Sequence, residues 1–165
     1  MIVRDNLLDE TGLNEIETKI KEIPWYLRDH KVREGDGFEC LSHTAYFADK
    51  PVSDIFNVLH RYFVCPLELI SWWRIRLNIT WKQNDLQIFG WHTDHDACID
   101  NPKYKNMTTA LYYLSNTNGP TVFKSEDKVD CVKNRLVQFN STLKHSGTSH
   151  TEGDEKRIVI NFNYF

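Results

Sequence analysis

The sequence has no CxxC pair, no apolar run of membrane-spanning length, no internal repeat and no low-complexity tract. Each absence removes a class of protein. The four cysteines, Cys40, Cys65, Cys98 and Cys131, lie far apart, which fits neither a zinc ribbon nor a dense disulfide framework. Reduced thiols are the simpler expectation. Met1 to Leu8 carries Arg4, Asp5 and Asn6 and lacks the apolar stretch of a secretory signal, so a cytoplasmic protein away from membranes is expected. Positive charge is not in excess either. Lys and Arg number 20 against 23 Asp and Glu, and a net charge of -3 with a pI near 6.1 gives no field to gather a polyanion. Nucleic acid is not an expected partner.

What is present suits one compact domain over residues 1–165, because 165 residues at 41% hydrophobic content can bury a core without disulfides or structural metal. Leu13, Ile16, Ile20 and Ile23 recur at three- and four-residue steps before Pro24, which predicts a short amphipathic helix. A second helix is predicted after Ser53 as cap, with Ile55, Phe56, Leu59 and Phe63 on one face and Pro66 as the stop. Residues 30–50 between them read as loop with at most one strand. The N-terminal part, 1–69, is thus expected to be helix and loop.

From residue 70 the period changes to two. Trp73, Ile75, Leu77, Ile79 and Trp81 alternate with Arg74, Arg76, Asn78 and Thr80, the pattern of a strand with one apolar and one polar face. The last strand behaves alike: Ile158, Ile160, Phe162 and Tyr164 alternate with Arg157, Val159, Asn161 and Asn163. Between them, β-rich segments are expected at 86–94, 107–114, 121–124, 129–132 and 135–139, with turns at 83–85 and at Asn118-Gly119-Pro120. Many short strands in succession predict a mainly β fold of sandwich or jelly-roll type. Polar faces on several strands would line a barrel mouth that holds an ion and an acidic small molecule, or would simply face solvent.

The run Trp91-His92-Thr93-Asp94-His95-Asp96 gathers two imidazoles and two carboxylates at a predicted strand end. In a strand, His92 and Asp94 point to one face while Thr93 points away. A neutral imidazole and a carboxylate suit ferrous iron, and a third ligand on the same triangular face would leave positions open. Downstream only His145 and His150 can supply it. His145 is preferred because it closely follows the strand 135–139, whereas His150 sits deeper in a polar loop.

With these residues the chain resembles the 2-oxoglutarate and Fe(II) dependent oxygenases, in their prolyl hydroxylase-like branch, over about residues 73–165. The resemblance rests on the HxD pair His92-Thr93-Asp94, the segment Thr108-Thr109-Ala110-Leu111-Tyr112-Tyr113-Leu114, and Gly119-Pro120-Thr121-Val122-Phe123. It continues in Leu143-Lys144-His145-Ser146-Gly147 and in Arg157-Ile158-Val159-Ile160-Asn161-Phe162. It implies a double-stranded β-helix (jelly roll) over 70–165 with the N-terminal helices packed on it. Fe(II) would be bound by His92, Asp94 and His145, the catalytic centre, with 2-oxoglutarate chelating the metal. Arg157 would hold the distal carboxylate of that co-substrate through its bidentate fork, and Tyr113, Thr109, Asn78 and Asn161 would assist. The 12 residues from His145 to Arg157 are a separation the family accommodates; His150 would leave only 7.

The implied reaction consumes O2 and 2-oxoglutarate, yields succinate and CO2, and hydroxylates a prolyl or other peptidyl side chain or a small molecule. Related halogenases have a small residue where Asp94 stands, so its presence favours hydroxylation. The sequence departs from the family's pattern in two places. Asn118-Gly119-Pro120 replaces a glycine pair, and Arg76 and Asn78 stand where relatives often carry a tyrosine.

Other residues take plainer roles. His95, Asp96 and Asp100 read as a solvated loop, His30, His43, His60 and His150 as surface or hydrogen-bonded histidines, and Trp72, Trp73 and Trp81 as packing residues. Trp91 could line the entrance. Tyr112 and Tyr113 should point to opposite faces. Two rival functions remain on the sequence alone: a metal-dependent phosphohydrolase, prompted by His95-Asp96, and a non-catalytic cupin-like module that binds metal or a small ligand.

Overall fold

The computed structural model of the chain describes residues 1–29, 38–94 and 105–165. His30, His95, Asp96, Cys98 and Asp100 lie outside the described residues. Asp9 caps the first helix, α1 (Glu10–Glu22), by accepting a hydrogen bond from the Gly12 amide at 2.8 Å. The helix turns Ile16 and Ile20 inward, as the periodicity predicts. The second, α2 (Ile55–Phe63), also forms, but its N-cap is Asp54 and not Ser53, and no side chain caps its amides. The Ser53 carbonyl instead accepts from Phe56.

The helix-and-loop expectation for 1–69 is corrected by four strands there: β1 (Ile2–Arg4), β2 (Tyr26–Arg28), β3 (Cys40–Phe47) and β4 (Lys50–Pro51). β3 hides from a period-two reading because Ser42, His43 and Ala45 are all buried, so its two faces do not differ in polarity. The later strands are β5 (Trp72–Trp81), β6 (Thr108–Tyr113), β7 (Thr117–Phe123), β8 (Lys128–Cys131), β9 (Arg135–Asn140), β10 (His145–Gly147) and β11 (Lys156–Tyr164).

An eight-stranded sheet runs β1-β9-β6-β11-β5-β3-β2, with β4 attached to β3. A second, three-stranded sheet runs β10-β7-β8. The 86–94 segment, expected as a strand, contributes only isolated bridges, Ile88 to Thr148 and His92 to His145. These bridges seat it beside β10 as a fourth, irregular member of the smaller sheet. The central strands β5, β6, β9 and β11 thus face a four-membered layer, the double-stranded β-helix. Asn118-Gly119-Pro120 is not a turn. It lies inside β7, where the pairing with β8 shifts register between Thr117 and Thr121.

Two apolar cores follow from strand alternation. Outside the large sheet, Ile75, Leu77, Tyr112, Ile160 and Phe162 pack with α1 and α2. Between the sheets, Leu111, Tyr113, Phe123, Val137 and Val159 form a second cluster. Tyr112 and Tyr113 therefore do part to opposite faces. The phenol of Tyr112 donates to Asn134 and that of Tyr113 to Thr121. Cys65 and Cys131 are free thiols. Among the described residues no helix is long and apolar enough to cross a membrane.

Candidate metal centre and its pocket

His92 and His145 exchange backbone hydrogen bonds, His92 N–H to His145 at 3.0 Å and the reverse at 2.9 Å. This places the distal histidine beside the HxD pair, on a short strand and not in the loop expected for it. The two rings lie 4.5 Å apart, and His145 packs edge-on against Phe139. Each Nδ1 sits against a main-chain carbonyl, His92 on Gly90 at 3.0 Å and His145 on Leu143 at 2.9 Å. With Nδ1–H donating there, each Nε2 keeps its lone pair. Both Nε2 atoms then face the Asp94 carboxylate at 3.9 Å. The three candidate ligand atoms all lie within 4.8 Å of one another.

Two lone pairs and a carboxylate converging in this way call for a cation. Two imidazoles and one carboxylate form the donor set that suits Fe(II) with open positions. Among the described residues this is also the one cluster of its kind.

Asp94 is held by donors from three strands of the facing sheet. Arg74 of β5 donates at 3.2 Å, Thr109 of β6 at 2.8 Å, and Asn161 and Asn163 of β11 at 3.2 and 3.1 Å. Asn163 also receives the Arg74 Nε–H and donates to Thr109, whose hydroxyl meets Ser141. Burial pushes the Asp94 carboxyl up. The Arg74 guanidinium foremost, with the Thr109 hydroxyl, acts against it, and the group is held well below the usual carboxylate range. Thr109 and Asn161, which the resemblance implies as helpers of the co-substrate, are thus committed to the metal's carboxylate. Arg74, Asn163 and Ser141 were not singled out by the sequence reading. The polar faces of β5 and β11 carried the signal for the first two, and only the register joins them to Asp94.

Arg157, second residue of β11, lies on the same inner face and is buried at 4% exposure. Its Nε–H donates to the Gly119 carbonyl at 3.0 Å and its Nη2 to the Thr121 hydroxyl at 3.2 Å, while the guanidinium lies 5.6 Å from the Tyr113 ring centre. Gly119 lets β7 pass close to Ser149, since a Cβ there would stand 2.5 Å from the Ser149 carbonyl. No carboxylate among the described residues comes within ion-pair distance of Arg157. Opposite it on β5, the buried hydroxyl of Thr80 has no partner among the described residues. A buried cation beside an orphaned hydroxyl is the environment that a ligand carboxylate would complete.

Tyr113 is buried too, and its phenol is pushed up to about 12 by burial, against the lowering effect of Arg157 and Thr121. It is a neutral donor at physiological pH. Asn78 is half-buried on the same face, opposite Val159 and Ser42, and its side chain makes no hydrogen bond to a described residue. His150 turns away, its Nε2 on the Asp154 carbonyl at 3.0 Å. His43 and His60 are likewise engaged, on Pro24 and on Trp72. Trp91 lies under the Lys124 ammonium at 4.3 Å.

No protein-family model and no curated protein matches the chain. Solved structures do. A 2OG-Fe(II) oxygenase family oxidoreductase from Burkholderia pseudomallei is similar with a TM-score of 0.71 at 13% identity, over 99% of this chain and 84% of that one. HygX from Streptomyces hygroscopicus, with nickel and 2-oxoglutarate bound, is similar at 0.66 and 13% identity, over 99% and 81%. A prolyl-4-hydroxylase from Pseudomonas putida is similar at 0.60 and 13% identity, over 99% and 91%. The chain has the fold of the 2-oxoglutarate/Fe(II)-dependent oxygenases and carries, in His92, Asp94 and His145, a two-histidine, one-carboxylate metal triad.

Proposed function

We propose that the protein is an Fe(II)- and 2-oxoglutarate-dependent dioxygenase that hydroxylates a prolyl or other peptidyl side chain, or a small molecule. The observation that carries this reading is the pairing, on one inner sheet face, of the His92-Asp94-His145 triad with a buried Arg157 that lacks a carboxylate partner among the described residues. Along β11, Arg157 and Asn161 are separated by roughly 13 Å at about 3.3 Å per residue. An arginine side chain and a bound dicarboxylate together would fill that span.

His92, Asp94 and His145 would hold the iron. Arg157 would take the distal carboxylate of 2-oxoglutarate, with Thr80 and Tyr113 donating beside it, and Asn78 would border the same ligand. Thr109, Asn161, Asn163 and Arg74 keep Asp94 ionised and oriented. When bound, iron and 2-oxoglutarate supply O2 activation coupled to decarboxylation, with succinate and CO2 as products. The chain's own contribution is to orient the donors and to exclude water around a preformed carboxylate. The prolyl preference rests on the sequence resemblance and on the likeness to prolyl hydroxylases.

Incubation with Fe(II), 2-oxoglutarate and O2, with and without proline-rich peptides, should release succinate, and Asp94→Ala should not. A metal-binding module without turnover would bind iron and release none.

A further inference from the structure

The polar inner face of the large sheet continues past the metal centre into β5, β3 and β2. Arg76 stands on it between Asn161 of β11 and Thr44 of β3. Its neighbour Arg74 is balanced by Asp94. Arg76 is not: its side chain makes no hydrogen bond and no ion pair with a described residue, and its Nε is sealed from solvent. Burial, with the like charges of Arg74 and Arg28, pulls the guanidinium down to about 10, so it is still a cation at neutral pH. Arg28 reaches the same face from β2. Its Nε–H donates to the Ser42 hydroxyl at 2.7 Å, and it too lacks a carboxylate among the described residues. Tyr26, Arg28, Ser42, Thr44, Val52 and Asp54 border a cleft of about 500 Å³, within the range of small-molecule sites. Next to Arg76, the buried Oδ1 of Asn161 is also without a partner.

Neither cation is needed for the metal, which has its triad, or for the distal carboxylate of the keto acid, which has Arg157. Two guanidinium groups on one sheet face, neither in an ion pair with a described residue, are stabilised by an anion that arrives from outside. We propose that Arg28, on the border of that cleft, and Arg76, between it and Asn161, anchor an oxyanion, a carboxylate or a phosphate, on the primary substrate. The role in catalysis rests on the oxygenase reading; anion binding itself does not.

The test uses protein loaded with Fe(II) and 2-oxoglutarate without oxygen. N-acetylglycine, methyl phosphate and the neutral N-acetylglycinamide serve as probes, titrated by calorimetry. We expect an anion to bind, the amide not to, and the affinity to fall at least about tenfold in Arg28→Met and Arg76→Met and to weaken with salt. The tighter anion tells carboxylate from phosphate. Equal binding of the amide, or no anion binding, overturns the proposal. So does an Arg76→Met protein that loses 2-oxoglutarate affinity and keeps the anion, because Arg76 would then serve the keto acid. If wild type fails to bind 2-oxoglutarate, the oxygenase reading falls, and the same titration of metal-free protein still decides: binding lost in the variants supports the anion site, and no binding overturns it. Arg76→Gln, checked by circular dichroism, replaces the methionine variant if that one does not fold.

Discussion

The two ends of the pocket treat buried charge in opposite ways. At one end Asp94 is surrounded by donors from β5, β6 and β11 and keeps its charge without any ligand. At the other, Arg157 has a carbonyl, a hydroxyl and an aromatic face but no counter-ion among the described residues. The difference separates what the fold prepares from what it leaves for a ligand to complete. A metal ligand must be ionised and aimed before the metal arrives, so its neighbours are built in. A co-substrate that enters and leaves each cycle needs a cation whose best partner is absent between turnovers.

The largest expected effect breaks the Asp94 end outright. Asp94→Ala or His145→Ala should weaken Fe(II) binding by more than about 100-fold, beyond what loss of a supporting hydrogen bond causes, as measured by competition with a chelating dye. Next, Arg157→Met should leave metal affinity near wild type while costing about 2–5 kcal/mol in 2-oxoglutarate binding. The same variant should melt no lower than wild type without ligand, because an uncompensated buried cation is removed. Calorimetry and thermal melts check both halves. Thr109→Val and Asn163→Leu sharpen the contrast from within the Asp94 network. Each should lower metal affinity about 10- to 100-fold without touching a metal ligand.

The smallest effect concerns Tyr113. Its folded pKa of about 12 lies above the ordinary value of 10.0, so the neutral phenol is favoured in the folded state. The stability this contributes is complete below pH 10 and is lost as pH rises through 12. Denaturant midpoints between those limits should fall less steeply in Tyr113→Phe than in wild type.

Much of the site was legible in the sequence, because its ligands sit in patterns that physics constrains locally. His92 and Asp94 stand two residues apart, and Arg157 and Asn161 share one face of β11 with Val159 between them. The partners of Asp94 were not legible, since they depend on which residues of β5, β6 and β11 lie opposite one another. β3 escaped because it is buried on both faces. Asn118-Gly119-Pro120 misled because a bulged strand and a turn use the same residues, and here the glycine lets β7 approach Ser149 and present its carbonyl to Arg157. The segment 86–94 has strand-like composition, yet only Ile88 and His92 pair.

The most direct test of the central claim is an anaerobic titration of 2-oxoglutarate into Fe(II)-loaded protein, followed by the visible charge-transfer band of an iron-chelated keto acid. A band in wild type that is absent in His92→Ala, and that needs far more 2-oxoglutarate in Arg157→Ala, is the result expected of a pocket with these two ends. A folded, iron-loaded wild type with no band would contradict it.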